Sequence, residues 1–137
     1  MDNRVLNYLS LARKGGRAEL GEEPVGIAAR ELKAHLVLVA SDASDHTWRR
    51  AKSFAAGTDQ QCVRLPFTKD EMGFAIGRTS LALAAVTDAA LALALVQSLP
   101  NPDPKVIEVL EAKVARQRKL QSEAKAHRRN IRKGKNK

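Results

Sequence analysis

The groups best suited to chemistry crowd one turn: Ser41, Asp42, Ser44, Asp45 and His46 place two hydroxyls, two carboxylates and an imidazole within six positions. A serine activated by a histidine that a carboxylate orients is the apparatus of acyl transfer, but its members are drawn together in space from separate segments. Short polar residues that follow one another at the exit of an apolar run instead supply helix caps. The turn is therefore read as capping, with Ser44 as the N-cap. His35 and His127 stand apart from other chemical groups and are expected at the surface. Cys62 is the single cysteine, which excludes an intrachain disulfide and leaves no cysteine and histidine set for zinc. The glycines offer no nucleotide loop either. Gly15-Gly16 follows no strand, and Gly73-x-x-x-Gly77 has neither P-loop nor dinucleotide spacing. No catalytic residue, cofactor or metal is expected.

What remains is charge. Lys and Arg total 24 against 15 Asp and Glu, a net of +9 with a pI near 10.1. Such a surplus calls for a polyanionic partner, nucleic acid before an anionic membrane. The surplus is unevenly placed. Residues 1–102 carry twelve cations and eleven carboxylates, and residues 103–137 carry twelve cations and four carboxylates. A balanced body thus bears a basic appendage, in which Arg116, Arg118, Lys119, Arg128, Arg129, Arg132 and Lys133 are candidates for phosphate contact. The longest apolar tract, 81–99, is broken by Thr87-Asp88. A charge at a bilayer centre costs about 2.5–3.5 kcal/mol, so no membrane span is expected. The first residues carry no basic stretch ahead of an apolar one, so a cytoplasmic location is expected.

The elements that must position these residues can be read from periodicity and punctuation. Val5, Leu6, Leu9 and Ala12 share a helical face, and Gly15-Gly16 end that helix. An extended piece at 17–20 leads to Gly21 and to a helix over 22–32, opened by Glu22 and Glu23 with Pro24 in its first turn. Residues 36–40, Leu-Val-Leu-Val-Ala, read as a strand covered on both faces. Ser44 caps a helix that Gly57 ends. Residues 62–67 read as a second strand, which Pro66 either confines to an edge or ends. Thr68 caps a short helix stopped by Gly77, residues 81–86 are another buried strand, and Asp88 caps a helix to Ser98. Asp103 and Pro104 start a last helix, whose Val106, Ile107, Leu110 and Val114 are spaced to lie on the body. The fold class is α/β: a three-layer α/β/α sandwich with a small mixed sheet. Residues 1–100 form that domain, and 101–137 a basic helical extension ending in a disordered tail.

In this order the segments are similar to a known family. Leu9-Ser-Leu-Ala-Arg13-Lys14-Gly15-Gly16-Arg17, Gly21-Glu22-Glu23 and the run from Leu36 to Ser44 come first. Lys69-Asp-Glu-Met-Gly73-Phe-Ala-Ile-Gly77-Arg78-Thr79-Ser80 and Ala85-Val-Thr-Asp88 follow. Together they resemble the ribosomal L-seven-Ae / L-thirty-e family of kink-turn RNA-binding proteins over residues 5–98. The resemblance implies RNA contact at the start of the second helix, here Gly21, Glu22 and Glu23, and at the loop before the last strand, here Gly77, Arg78, Thr79 and Ser80. It also implies a lysine beside an extruded base, here Lys69. Arg13, Lys14 and Arg17 border the turn before Gly21 and are assigned to backbone phosphates. Tight kink-turn binders carry an Asn-Glu pair and then a basic residue at the second helix. This chain has Glu23, Pro24 and Ile27 there.

The function expected is non-catalytic RNA binding by a monomer, on ribosomal or other structured RNA and in association with the ribosome. The alternatives are a protein-interaction module of the same fold, or the substrate-binding domain of an RNA methyltransferase without its catalytic domain.

Overall fold

A computed structural model describes residues 4–135, with side chains described as far as residue 129. The apolar face of Val5, Leu9 and Ala12 forms α1 (Arg4–Lys14), and Gly16 takes the positive φ of 70° that turns the chain into β1 (Ala18–Leu20). Helix α2 (Glu22–Arg30), strand β2 (Leu36–Val39), helix α3 (Asp45–Ala55) and strand β3 (Gln61–Arg64) follow, then α4 (Lys69–Ala75), β4 (Leu83–Val86), α5 (Ala89–Gln97) and α6 (Pro104–Lys135). The capping predictions hold: Ser44 accepts from the Thr47 N–H, Asp88 from the Leu91 N–H, and Thr68 forms a reciprocal capping box with Glu71. At α6, the Asp103 carboxylate accepts from the Lys105 N–H at 2.9 Å.

The strands lie in the order β1-β4-β2-β3, with β2 and β3 parallel and β4 antiparallel to both of its neighbours. Side chains alternate between the sheet's faces. Leu36, Leu38, Ala84 and Val86 pack with α1, α4, α5 and α6, while Val37, Val39, Leu83 and Ala85 pack with α2 and α3. This is the expected α/β/α sandwich with a mixed sheet. Two strands are shorter than their apolar runs suggest. β3 stops at Arg64, and Leu65 and Phe67 instead bond across to Val39 and Ser41. β4 starts at Leu83, because the Leu81 N–H is taken by the Lys69 carbonyl.

α5 and α6 form an antiparallel pair, so α6 starts near the Gly21 end of the sheet and runs back toward the start of β2. Val106, Leu110 and Val114 are buried there, which places the first three turns of α6 in the core. From Ala115 to Arg129 every side chain is exposed. The tail expected to be disordered falls mostly within the run of α6, and residues 136–137 lie outside the described residues.

One expectation is corrected. His35 is half-buried and not isolated: its Nδ1 lies 3.1 Å from Lys113 Nζ, which also pairs with Asp59 at 3.1 Å. An ammonium only donates, so Nδ1 accepts and the imidazole carries its proton on Nε2. Seventy-eight positions separate these partners, and only the return of α6 across the sheet end brings them together. His127 is exposed, as expected.

Candidate nucleic-acid interface

One end of the sheet gathers four loops. The Gly21 N–H donates to the Leu83 carbonyl at 2.9 Å, and the Ala40 N–H to Ala82 at 2.9 Å. Ser41 donates to Phe67 at 2.8 Å, and Leu81 to Lys69 at 2.8 Å. The Asp42 carboxylate accepts from the Lys69 N–H at 2.8 Å. The start of α2, the exit of β2, the start of α4 and the 77–82 loop are thereby fastened through main-chain donors and acceptors. Gly21, Glu22, Glu23, Lys69, Gly77, Arg78, Thr79 and Ser80 share this end. Of the candidate side chains here, those of Glu22, Glu23, Lys69, Arg78, Thr79 and Ser80 are exposed.

Three helix N-termini, those of α2, α3 and α4, point to the same end. Each carries unsatisfied N–H groups and positive dipole potential. Ser44 and Thr68 close α3 and α4, whereas α2 has Gly21 at its N-cap, with a φ of 95° and no side-chain cap. The first N–H groups of α2 are thus the ones left for an external acceptor. Glu22 and Glu23 stand beside them. Glu22 pairs with Arg50 of α3 at 2.9 Å, so its charge is partly offset, and Arg50 also stacks over Phe54 at 5.0 Å. The outer flank of α2 is acidic: its groove is lined by Glu19, Glu23 and Glu31, with Lys33 as the counter-charge. The exposed cations among the candidates at this end are Lys69 and Arg78, away from that acidic groove.

The other candidates lie elsewhere. The Arg17 carbonyl accepts from the Thr87 N–H at 2.8 Å, beyond the far end of β4, and Arg13 and Lys14 close α1 beside it. β1 places Arg17 and Gly21 at opposite ends of three residues, about 10 Å at ~3.3 Å per residue. Arg116, Arg118, Lys119, Arg128 and Arg129 follow the buried part of α6 on that same far side. Arg132 and Lys133 fall on its last turns, where side chains are not described.

Two further residues matter to this end and were not among the site residues expected from sequence. A Cβ on Gly73 would lie 2.7 Å from the Ser80 Cα and N and 2.9 Å from the Arg78 carbonyl. The absent side chain is what lets the 78–80 loop lie on α4, and the Arg78 N–H donates to the Gly73 carbonyl at 2.8 Å. Arg50 is the other, and nothing in the spacing of Glu22 and Arg50 signals their pairing. Burial pushes the Cys62 thiol up to about 11, which disfavours its thiolate. Among the described residues no group of acidic, histidine or cysteine side chains is arranged to hold a metal, and no helix is long and apolar enough to cross a membrane.

No family model matches the chain. It is 32% identical over 75 residues to the RNA-binding protein YlxQ of Enterococcus faecium, an alignment that spans 55% of this chain and 72% of that protein. The chain belongs to the YlxQ family. Solved structures agree on the fold of this YlxQ-family member. A Bacillus halodurans protein of unknown function superposes with a TM-score of 0.62 at 22% identity, over 80% of this chain and 99% of the other. The Giardia lamblia 15.5kD RNA-binding protein superposes with a TM-score of 0.53 at 18% identity, over 80% and 86%.

Proposed function

We propose that the protein is a non-catalytic RNA-binding module that reads structured RNA at the Gly21 end of its sheet. The observation that carries this reading is that an uncapped helix N-terminus is bonded to Leu83 at the start of β4, directly after the 77–82 loop, whose Leu81 is bonded in turn to the Lys69 carbonyl. Donors held in this way contact phosphates and base edges of a distorted RNA without reordering, which suits recognition of bulges and extruded bases over paired sequence. Relatedness to a protein named for RNA binding supports the reading. The resemblance to the ribosomal L-seven-Ae / L-thirty-e family extends it to kink-turn RNA, with ribosomal RNA as the natural source and a cytoplasmic monomer associated with the ribosome as the working form. In this reading residues 1–100 form the selective domain, held together with the first turns of α6, and the rest of 101–137 is its basic extension.

The test is a pair of titrations at matched salt, on a kink-turn RNA and on an unstructured RNA of equal length. Lys69→Ala or Arg78→Ala should cost about 1–3 kcal/mol on the kink-turn, the range of a good polar contact or charged hydrogen bond, and less on the unstructured RNA. Equal losses on both would reduce these residues to bulk electrostatics. Co-sedimentation with ribosomal particles, abolished by adding excess kink-turn RNA, tests the ribosomal part.

A further inference from the structure

The path of α6 separates the cations from the Gly21 end. Lys113 meets His35, one residue before β2, and Asp59, two residues before β3. Leu32, His35, Ala89, Arg116, Gln117 and Leu120 border one cavity of about 360 Å³ at that point. α6 therefore crosses the body from the Gly21 end and leaves it past the start of β2. From Gln121 to Lys135 the helix continues for about 22 Å at ~1.5 Å per residue, without burying a described side chain. Arg118, Lys125 and Arg129 fall within about 40° of one another around it, at 100° per residue, and all are exposed. Lys119 and Arg128 flank that stripe, and Glu123 is the one carboxylate after Glu111. At the same end of the sheet, Arg13, Lys14 and Arg17 are exposed at the close of α1 and the turn after it.

We propose that this end is a second, independent RNA surface that takes the phosphate backbone of a straight RNA duplex, so that one molecule joins two RNA segments. The joining rests on the reading of the Gly21 end as an RNA site. The duplex does not: it follows from the overhang itself. Residues 104–137 contain no Phe, Tyr or Trp, so the aromatic platforms that hold successive bases of an unpaired strand are missing there, and His127 is the one aromatic ring among its cations. What the overhang offers is a rigid row of cations, and duplex RNA is met through shape and phosphates. The stripe lies at least one strand length from the Gly21 end, about 13 Å for β2, with the overhang carrying it further. The row and the Gly21 end therefore lie at opposite ends of the sheet.

The experiment uses the full chain with a donor-labelled kink-turn hairpin and an acceptor-labelled blunt RNA duplex. Energy transfer between the two RNAs on adding protein is the expected result. The variant Arg118→Gln, Lys119→Gln, Lys125→Gln, Arg128→Gln and Arg129→Gln keeps good helix formers and removes five charges. It should abolish the transfer and weaken duplex binding by at least about tenfold. The slope of log K against log salt should fall by about 0.7–0.9 for each phosphate that the variant no longer neutralises. Kink-turn binding in the presence of unlabelled duplex should change less than threefold. Displacement of the kink-turn by the duplex, or equal losses on both RNAs, would show a single site and overturn the proposal. Polyglutamate binding as tight as duplex binding at matched charge would overturn it in favour of an acidic protein partner. Duplex binding that vanishes in the five-charge variant while the kink-turn shows no preference over a straight RNA would instead sink the reading of the Gly21 end, and leave the overhang as an RNA surface.

Discussion

At the Gly21 end of the sheet, four loops are tied by main-chain hydrogen bonds, and cations and carboxylates interleave. At the His35 end, a helix departs from the body carrying cations that are exposed as far as Arg129. Positions at the first end are set by backbone geometry to within a hydrogen bond, which in the proposed reading lets shape discriminate between RNAs. Charge at the second end acts over a longer range and is screened by salt. In the proposed reading the two ends take different RNA segments, and each part of the contrast can be broken alone.

The boundary between packed and free helix lies within α6 itself and should give the largest effect. Leu110 is fully buried, so Leu110→Ala should cost about 2–5 kcal/mol of stability by chemical denaturation. Leu120 is 60% exposed, and Leu120→Ala should stay within about 0.5 kcal/mol. A comparable loss at Leu120 would mean that the overhang packs on the body and that the two ends are not independent.

Gly73→Ala comes next. Its Cβ has no room against the Ser80 backbone, so the 78–80 loop must move, at about 1–3 kcal/mol of overpacking cost. Amide shifts confined to residues 73–81, with kink-turn selectivity abolished and duplex affinity kept, are expected. Unchanged loop shifts would show that α4 yields instead.

A smaller gain is expected from the double change Glu23→Asn with Ile27→Lys, which replaces a carboxylate and an exposed apolar side chain on the flank of α2. It should tighten kink-turn binding by about 1 kcal/mol, the scale of one net hydrogen bond, and leave a straight duplex nearly unaffected. Glu22 is left in place because Arg50 already pairs with it. Equal gains on both RNAs would show added charge alone.

The smallest effect is one of pH. Burial, then the Lys113 charge, lowers the His35 pKa below its ordinary 6.5. As pH falls through the window from 6.5 to that lower value, the unfolded chain binds a proton that the folded chain refuses, and stability drops. Burial raises the Asp59 carboxyl, but the Lys113 hydrogen bond and charge outweigh it and leave it below 3.8, so its contribution disappears only at more acidic pH. Both groups are partly solvated, so the expected drop is small. His35→Gln should flatten the melting-temperature profile between pH 7 and 5. A profile unchanged by that substitution would detach His35 from the docking of α6.

Local rules were enough for much of this architecture. Ser44, Thr68, Asp88 and Asp103 act as caps because a short polar side chain satisfies N–H groups only two or three residues away, information that sits wholly in neighbouring positions. The buried strands at 36–39 and 83–86 declared themselves as apolar runs of strand length, and the charge break near residue 103 marked the basic helix. Tertiary structure alone decided where those pieces meet. Arg13, Lys14 and Arg17 are next to Gly21 in sequence and yet at the other end of the sheet, because even a three-residue strand carries the chain across it. Lys113, His35 and Asp59 come together only when α6 returns over the start of β2, and Gly73 is required only because the 78–80 loop folds back onto α4. Spacing along a chain records what a helix turn or a strand pleat can reach, whereas contacts between elements depend on how the sheet is ordered and how helices lie across it.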